Sequence, residues 1–126
     1  MNPGIHKFFL ISLFLSFSAD SIPIQGNLVE IKILDKISAK VSIINIDVNS
    51  SLMFESLNIK ILACYKNPPE EIPEDFVLLK IFDEVSIENQ KLIYQGWMIS
   101  SSPATTPLEH PLYDLWIKSC KIDNDS

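Results

Sequence analysis

The chain has 126 residues and a formal net charge of −6, set by 16 acidic residues against 10 lysines. That length builds one core rather than two. The acidic balance and the complete lack of arginine argue against nucleic-acid binding, because a negative surface repels phosphates and arginine is the side chain best shaped for them.

The N-terminal segment reads as a secretory signal peptide over residues 1–19. His6 and Lys7 form a weakly basic start, residues 8–17 are an apolar run, and Ser16-Phe17-Ser18-Ala19 offers small residues for cleavage after Ser18 or Ala19. The run is shorter than the roughly 20 residues that cross a bilayer, so no stable membrane span is expected after cleavage. The rival reading is an uncleaved interfacial anchor. Residues 20–27 are expected to be a linker.

From residue 28 onward the pattern is β. Leu28-Val29-Glu30-Ile31-Lys32-Ile33-Leu34 alternates apolar and charged residues, as a half-buried strand does. Residues 39–48 alternate too, but the phase slips at Ile43-Ile44 and predicts a β-bulge near Ile43. Asp47-Val48-Asn49-Ser50-Ser51 is a turn signal. Residues 57–61 form the next strand and run on to Cys64 and Tyr65. Three prolines and four acids in residues 66–75 predict an exposed loop. Residues 76–82 are apolar on both phases except Lys80, predicting a strand covered on both faces. Polar residues 83–90 connect it, hairpin-like, to a strand over 92–98. Residues 100–111 form a long proline-containing loop, residues 112–117 the last strand, which carries Cys120, and residues 121–126 a frayed tail.

About seven short strands in one domain over residues 28–120 define the expected fold: all-β, a small antiparallel β-sandwich or partly open barrel. Cys64 and Cys120 both fall in the exported part, where such a pair usually forms a disulfide. Closing that loop is worth about 4 kcal/mol in the chain-entropy picture. The alternative is two buried free thiols. Without a Cys-x-x-Cys, and with one histidine left after the leader, no metal and no cofactor are expected.

Candidate functional residues gather between residues 96 and 120. Ser100, Ser101 or Ser102 with His110 and Asp114 could supply nucleophile, base and orienting carboxylate, but no Gly-x-Ser-x-Gly elbow positions a serine and serine-rich loops usually serve turns. Glu109 and His110 could bind a metal; with no second ligand motif, His110 is better read as fixing its own loop. Glu70, Glu71, Glu74 and Asp75 lack calcium-loop spacing. Tyr94, Trp97, Tyr113 and Trp116 could form an aromatic platform. Alternation puts Tyr94, Gly96 and Met98 on one face and Trp97 on the other. Trp97 is expected in the core, with Gly96 making room for its ring; Trp116 is left open. Asn49-Ser50-Ser51 fits a glycosylation sequon.

These residues carry a resemblance. Leu34-Asp35-Lys36 with Ala39, then Ala63-Cys64, Pro68-Pro69-Glu70, Pro73-Glu74, Gly96-Trp97-Met98, Ser101-Ser102-Pro103, Leu108-Glu109-His110-Pro111, Tyr113-Asp114, Trp116 and Cys120 resemble the uncharacterised alphaproteobacterial domain-of-unknown-function family DUF2155. The resemblance covers roughly residues 29–120. Where such proteins often carry several basic residues around the cysteine, this chain has Lys60 and Lys66. The resemblance implies a small exported bacterial protein, a periplasmic location for the disulfide and no consequence for the sequon. The expected function is a non-catalytic binding or scaffolding role toward an envelope or periplasmic protein, through Ser101, Ser102, Glu109, His110, Asp114 and Trp116, with residues 68–75 beside them. The alternative is a small hydrolase or carbohydrate-binding protein using residues 100–114.

Overall fold

A computed structural model describes residues 22–86, 88–101, 108 and 110–123. The expected leader, Ser102, Glu109 and residues 124–126 lie outside the described residues. Described are strands β1 (Ile24–Gln25), β2 (Leu28–Asp35), β3 (Val41–Asp47), β4 (Ser51–Phe54), β5 (Leu57–Lys66), β6 (Asp75–Ser86), β7 (Asn89–Ile99) and β8 (Tyr113–Lys121), with no helix among the described residues. All pairings are antiparallel. One sheet runs β1-β5-β6-β7, with β4 also on β5; the other runs β3-β2-β8. The protein is an open two-sheet β-structure, not a closed barrel.

Alternation decides which side of each strand makes the core. Val29, Ile31 and Ile33 of β2 meet Leu57, Ile59 and Ile61 of β5 and Val77, Leu79 and Ile81 of β6, all without exposed surface. Tyr113, Leu115 and Ile117 of β8 close the layer, each under a tenth exposed. Such burial of branched side chains is the main stabilising term of a fold this size.

The expected bulge near Ile43 is not formed. β2 and β3 pair without a break from Leu28↔Asp47 to Leu34↔Val41. Ile44 and Ile46 point inward, while Ile43 stays on the solvent side at 52% exposure. The apparent slip is an apolar residue tolerated on the outer face of an edge strand. Two irregularities of greater consequence lie elsewhere: the β5–β6 register skips Leu62, and the β2–β8 register skips Lys118. Each skip reverses the facing of the residues beyond it. Ile61 and Cys64 therefore both point inward although three residues apart, as do Ile117 and Cys120.

That double reversal brings the cysteines together. Cys64 and Cys120 form a disulfide with Cα atoms 5.8 Å apart, joining the two sheets, and both are fully buried. Residues 24–27, expected as linker, cover it. Ile24 and Gln25 pair with Lys66 and Tyr65. A Cβ on Gly26 would lie 2.2 Å from the Cys120 sulfur and 2.9 Å from that of Cys64, so only glycine fits there. β4, also unforeseen, is a four-residue strand joined to β5 through Glu55, which takes a positive φ of 51°.

Strand β6 is covered on one face only. Val77, Leu79 and Ile81 are buried; Phe76, Leu78, Lys80 and Phe82 are half-buried on the outer side. Trp97 lies on this outer side too, 45% exposed and opposite Leu78. Its expected core position goes instead to the Met98 phase, Met98 being 3% exposed. Beyond its chain neighbours, a Cβ at Gly96 would meet the Tyr94 hydroxyl at 3.8 Å. Glycine is required by its φ of 150°.

Candidate functional site

The candidate residues separate to opposite ends of β6. At the Asp75 end, register sets Ile99 beside Phe76, so Ser100 and Ser101 reach Glu74 and Asp75. The Ser100 amide donates to the Asp75 carbonyl at 3.0 Å, and the Asp75 amide donates to Ser100 Oγ at 3.0 Å. The Ser100 hydroxyl donates to Glu74 Oε1 at 3.0 Å and the Ser101 amide to the same oxygen at 2.9 Å. The Ser101 hydroxyl donates to Glu74 Oε2. Burial opposes ionisation of Glu74, but the Ser101 hydroxyl and amide and the Ser100 hydroxyl outweigh it, so its carboxyl is held below the ordinary range. These two serines serve as donors to a carboxylate. Asp75 Oδ2 in turn accepts the Cys120 amide at 3.1 Å, tying this corner to the disulfide.

His110 lies at the other end. It is 6% exposed. Its Nδ1 accepts the Leu112 amide at 3.0 Å, which leaves Nε2 as the proton-bearing nitrogen, donating to Asp83 Oδ2 at 2.9 Å. Its carbonyl accepts from Lys36 Nζ at 2.9 Å, and that ammonium also pairs with Asp114 at 3.1 Å. Asp114 therefore serves Lys36, not His110. The Tyr113 ring stands 5.2 Å from the imidazole. Burial, then the charges of Glu55, Asp35 and Asp83, push the Tyr113 phenol up from its ordinary value. With both nitrogens engaged, His110 clamps β6 to the start of β8.

Asp75 and Asp83 are eight strand residues apart, about 26 Å. Ser100 and Ser101 are bonded at one end and His110 at the other, so the described serines do not meet the histidine. Ser102 and Glu109 lie outside the described residues. The serine-bearing stretch and the acidic loop, by contrast, do come together, through Glu74. Glu70 and Glu71 are exposed. No group of three or more His, Cys, Asp or Glu residues suited to a metal is formed among the described residues.

Two clefts carry the tryptophans. Trp116, half-buried on the outer face of the three-stranded sheet, shares a cleft of about 330 Å³ with Lys32, Ser100, Ile117 and Lys118. Glu30 pairs with Lys118 at 3.1 Å and Lys121 at 2.7 Å. Those contacts, Lys121 first, hold its carboxyl below the ordinary range. Lys32 has no ion-pair partner among the described residues. On the other sheet, Pro23, Tyr65, Phe76 and Trp97 line an apolar cleft of about 250 Å³, with the Tyr65 and Trp97 rings 6.1 Å apart. The roles of Glu74 and Lys36 went unrecognised in the sequence, and Asp83 and Lys32 were not singled out as candidates. Each acts through strand register or cross-strand placement, for which one sequence carries no local motif.

Fold and disulfide define a small two-sheet β-domain stapled between its sheets. The chain belongs to the DUF2155 family, described as an uncharacterized protein conserved in bacteria, which matches residues 29–120. It is also similar to "Uncharacterized protein RP359" of Rickettsia prowazekii (strain Madrid E), 32% identical over 87 residues, 69% of this chain and 56% of that protein. The chain thus spans little more than half the length of that relative. No solved structure matches the chain.

Proposed function

We propose that the protein is exported to the periplasm and acts there as a non-catalytic binding or scaffolding domain for an envelope protein, with the Trp116 cleft as its contact site. The observation that carries this reading is the cleft itself. A half-buried indole shares the cleft with Ser100 and with Lys32, which is unpaired among the described residues. An aromatic anchor beside polar groups is the usual composition of a binding hot spot. The non-catalytic part is supported by the engagement of Ser100 and Ser101 with Glu74 and of His110 with Asp83. Export is supported by the leader in the sequence and by a buried disulfide, a bond that persists in oxidising compartments.

The test has two arms. Cell fractionation should find the protein in the periplasm with its N-terminus processed near Ala19; a cytoplasmic protein would defeat the localisation. A photo-crosslinking residue at Lys32 should capture a discrete envelope protein, and Trp116→Ala should abolish that capture while the disulfide stays formed. Capture unchanged by Trp116→Ala would remove this cleft as the contact site.

A further inference from the structure

The outer face of the five-stranded sheet has a charge pattern unlike the rest of the chain. Register sets Lys60 of β5 directly opposite Lys80 of β6, and neither has an ion-pair partner among the described residues. Like charges facing each other across a ladder are destabilising. In a chain of net charge −6 acids are plentiful, yet neither lysine pairs with one among the described residues; Glu84, four residues on from Lys80 in β6, is bonded to Asn58 and Gln90 instead. Four strand residues away, about 13 Å, lies the apolar cleft of Tyr65, Phe76 and Trp97. Beyond it, on the far side from the lysines, the loop over residues 67–74 presents Glu70 and Glu71, both exposed, and Ile72, 84% exposed.

That loop is preformed. The Asn67 amide donates to the Glu74 carbonyl at 3.0 Å, Asn67 Nδ2 to the Ile72 carbonyl at 2.9 Å, and the Glu71 amide to the Pro68 carbonyl at 3.0 Å. A rigid acidic tip loses little freedom on docking. It lies across the aromatic cluster from its own lysines and is complementary to that row in charge.

We infer that this face binds a second copy of the chain, in an antiparallel stack about a two-fold axis lying between the faces and across the strands. The aromatic cluster lies between the two charged regions along the strands, with the Lys60–Lys80 pair on one side and the loop over residues 67–74 on the other. A two-fold axis at Tyr65 therefore stacks the two Tyr65–Phe76–Trp97 clusters and lays each acidic loop over the partner's Lys60–Lys80 row. The interface is isologous and closed, with an aromatic centre and a charged rim. It goes beyond the proposed function and uses the opposite sheet from the Trp116 cleft.

The experiment is sedimentation of the processed protein recovered from its producing cells, across a range of concentration and salt. Wild type should dimerise, more weakly at high salt. Lys60→Glu with Lys80→Glu, and separately Glu70→Lys with Glu71→Lys, should each weaken the dimer at least tenfold. Mixing the two reversed proteins should restore a dimer, because both contacts are then complementary. Trp97→Ala should weaken dimerisation without touching the charges. The loop variants alter exposed residues only, and an intact disulfide reports that every variant has folded. A wild type monomeric at all concentrations overturns the inference, whatever peptide or vesicle it binds. So does a dimer indifferent to both reversals, or a mixture that fails to reassociate.

Discussion

Glu74 looked like one of four interchangeable acids in an exposed loop. Its role comes from where β7 ends: Ser100 and Ser101 supply two hydroxyls and an amide to a single carboxylate. Hydrogen bonds to the charged form outweigh its partial burial and lower its pKa. A carboxyl with a folded pKa below its unfolded one contributes stability that is complete above the ordinary carboxylate range, about pH 4.5. That contribution is lost as pH falls through the lowered folded value. Glu74→Gln should therefore be less stable than wild type at pH 7, with the difference shrinking as pH falls below about 4.5 and through the lowered folded value. Urea midpoints at a series of pH values would show it; parallel curves would rule the clamp out. Glu30 and Asp35 are also lowered, by Lys121 and Lys118 and by the amides of Ile37 and Ser38 respectively, so an acid limb persists in the variant. The partners of Glu74 could not be read from spacing, since Glu74 and Ser101 are 27 residues apart.

At the scale of the strand, periodicity was a good guide where alternation was clean and a poor one where it was not. β2 and the first half of β5 alternate strictly, and their buried sets are the ones expected. β4 has only four residues and lies in a turn-rich stretch, and β1 has two; neither is long enough to show a period. Trp97 is the instructive error: a large aromatic residue suggested burial, whereas phase put it outside, and phase won. The bulges at Leu62 and Lys118 are the features with most consequence. If Leu62 took a place in the β5–β6 ladder, Cys64 would share the phase of Lys60 and face outward; if Lys118 did so in the β2–β8 ladder, Cys120 would share the phase of Trp116 and do likewise. Deleting Lys118 removes the extra residue, so residues 119–121 should keep their present partners and the Cys64–Cys120 disulfide should still form. Thiol titration of the folded variant checks this: no reactive group is expected, and two would mean that the register beyond residue 117 has shifted.

For the molecule as a whole, the question is why a chain of this size needs a covalent tie between its sheets. The three-stranded sheet lies over the five-stranded one, the core between them is a single layer of branched side chains, and the outer faces carry much apolar surface in half-exposed positions. Small cores of this kind leave a narrow margin once chain entropy is subtracted. The disulfide spans 56 residues, and restricting the unfolded chain over that span is worth about 4 kcal/mol, comparable with the whole stability of many domains of this length. Its position also matters. Cys120 donates its amide to Asp75, beside the carboxylate held by Ser100 and Ser101, so one corner unites β1, β5, β6, β7 and β8. Replacing both cysteines by serine should lower unfolding stability by about 4 kcal/mol, measured by urea denaturation. It should also loosen that corner first, seen as faster amide exchange at positions 64 and 120 and at Ser101 than at Asp83 and His110. Uniform loss of protection at both ends of β6 would mean that the bond acts on the unfolded chain alone. Because both sulfurs are buried beneath Gly26, reduction of the wild-type bond should proceed no faster than the opening of residues 24–27.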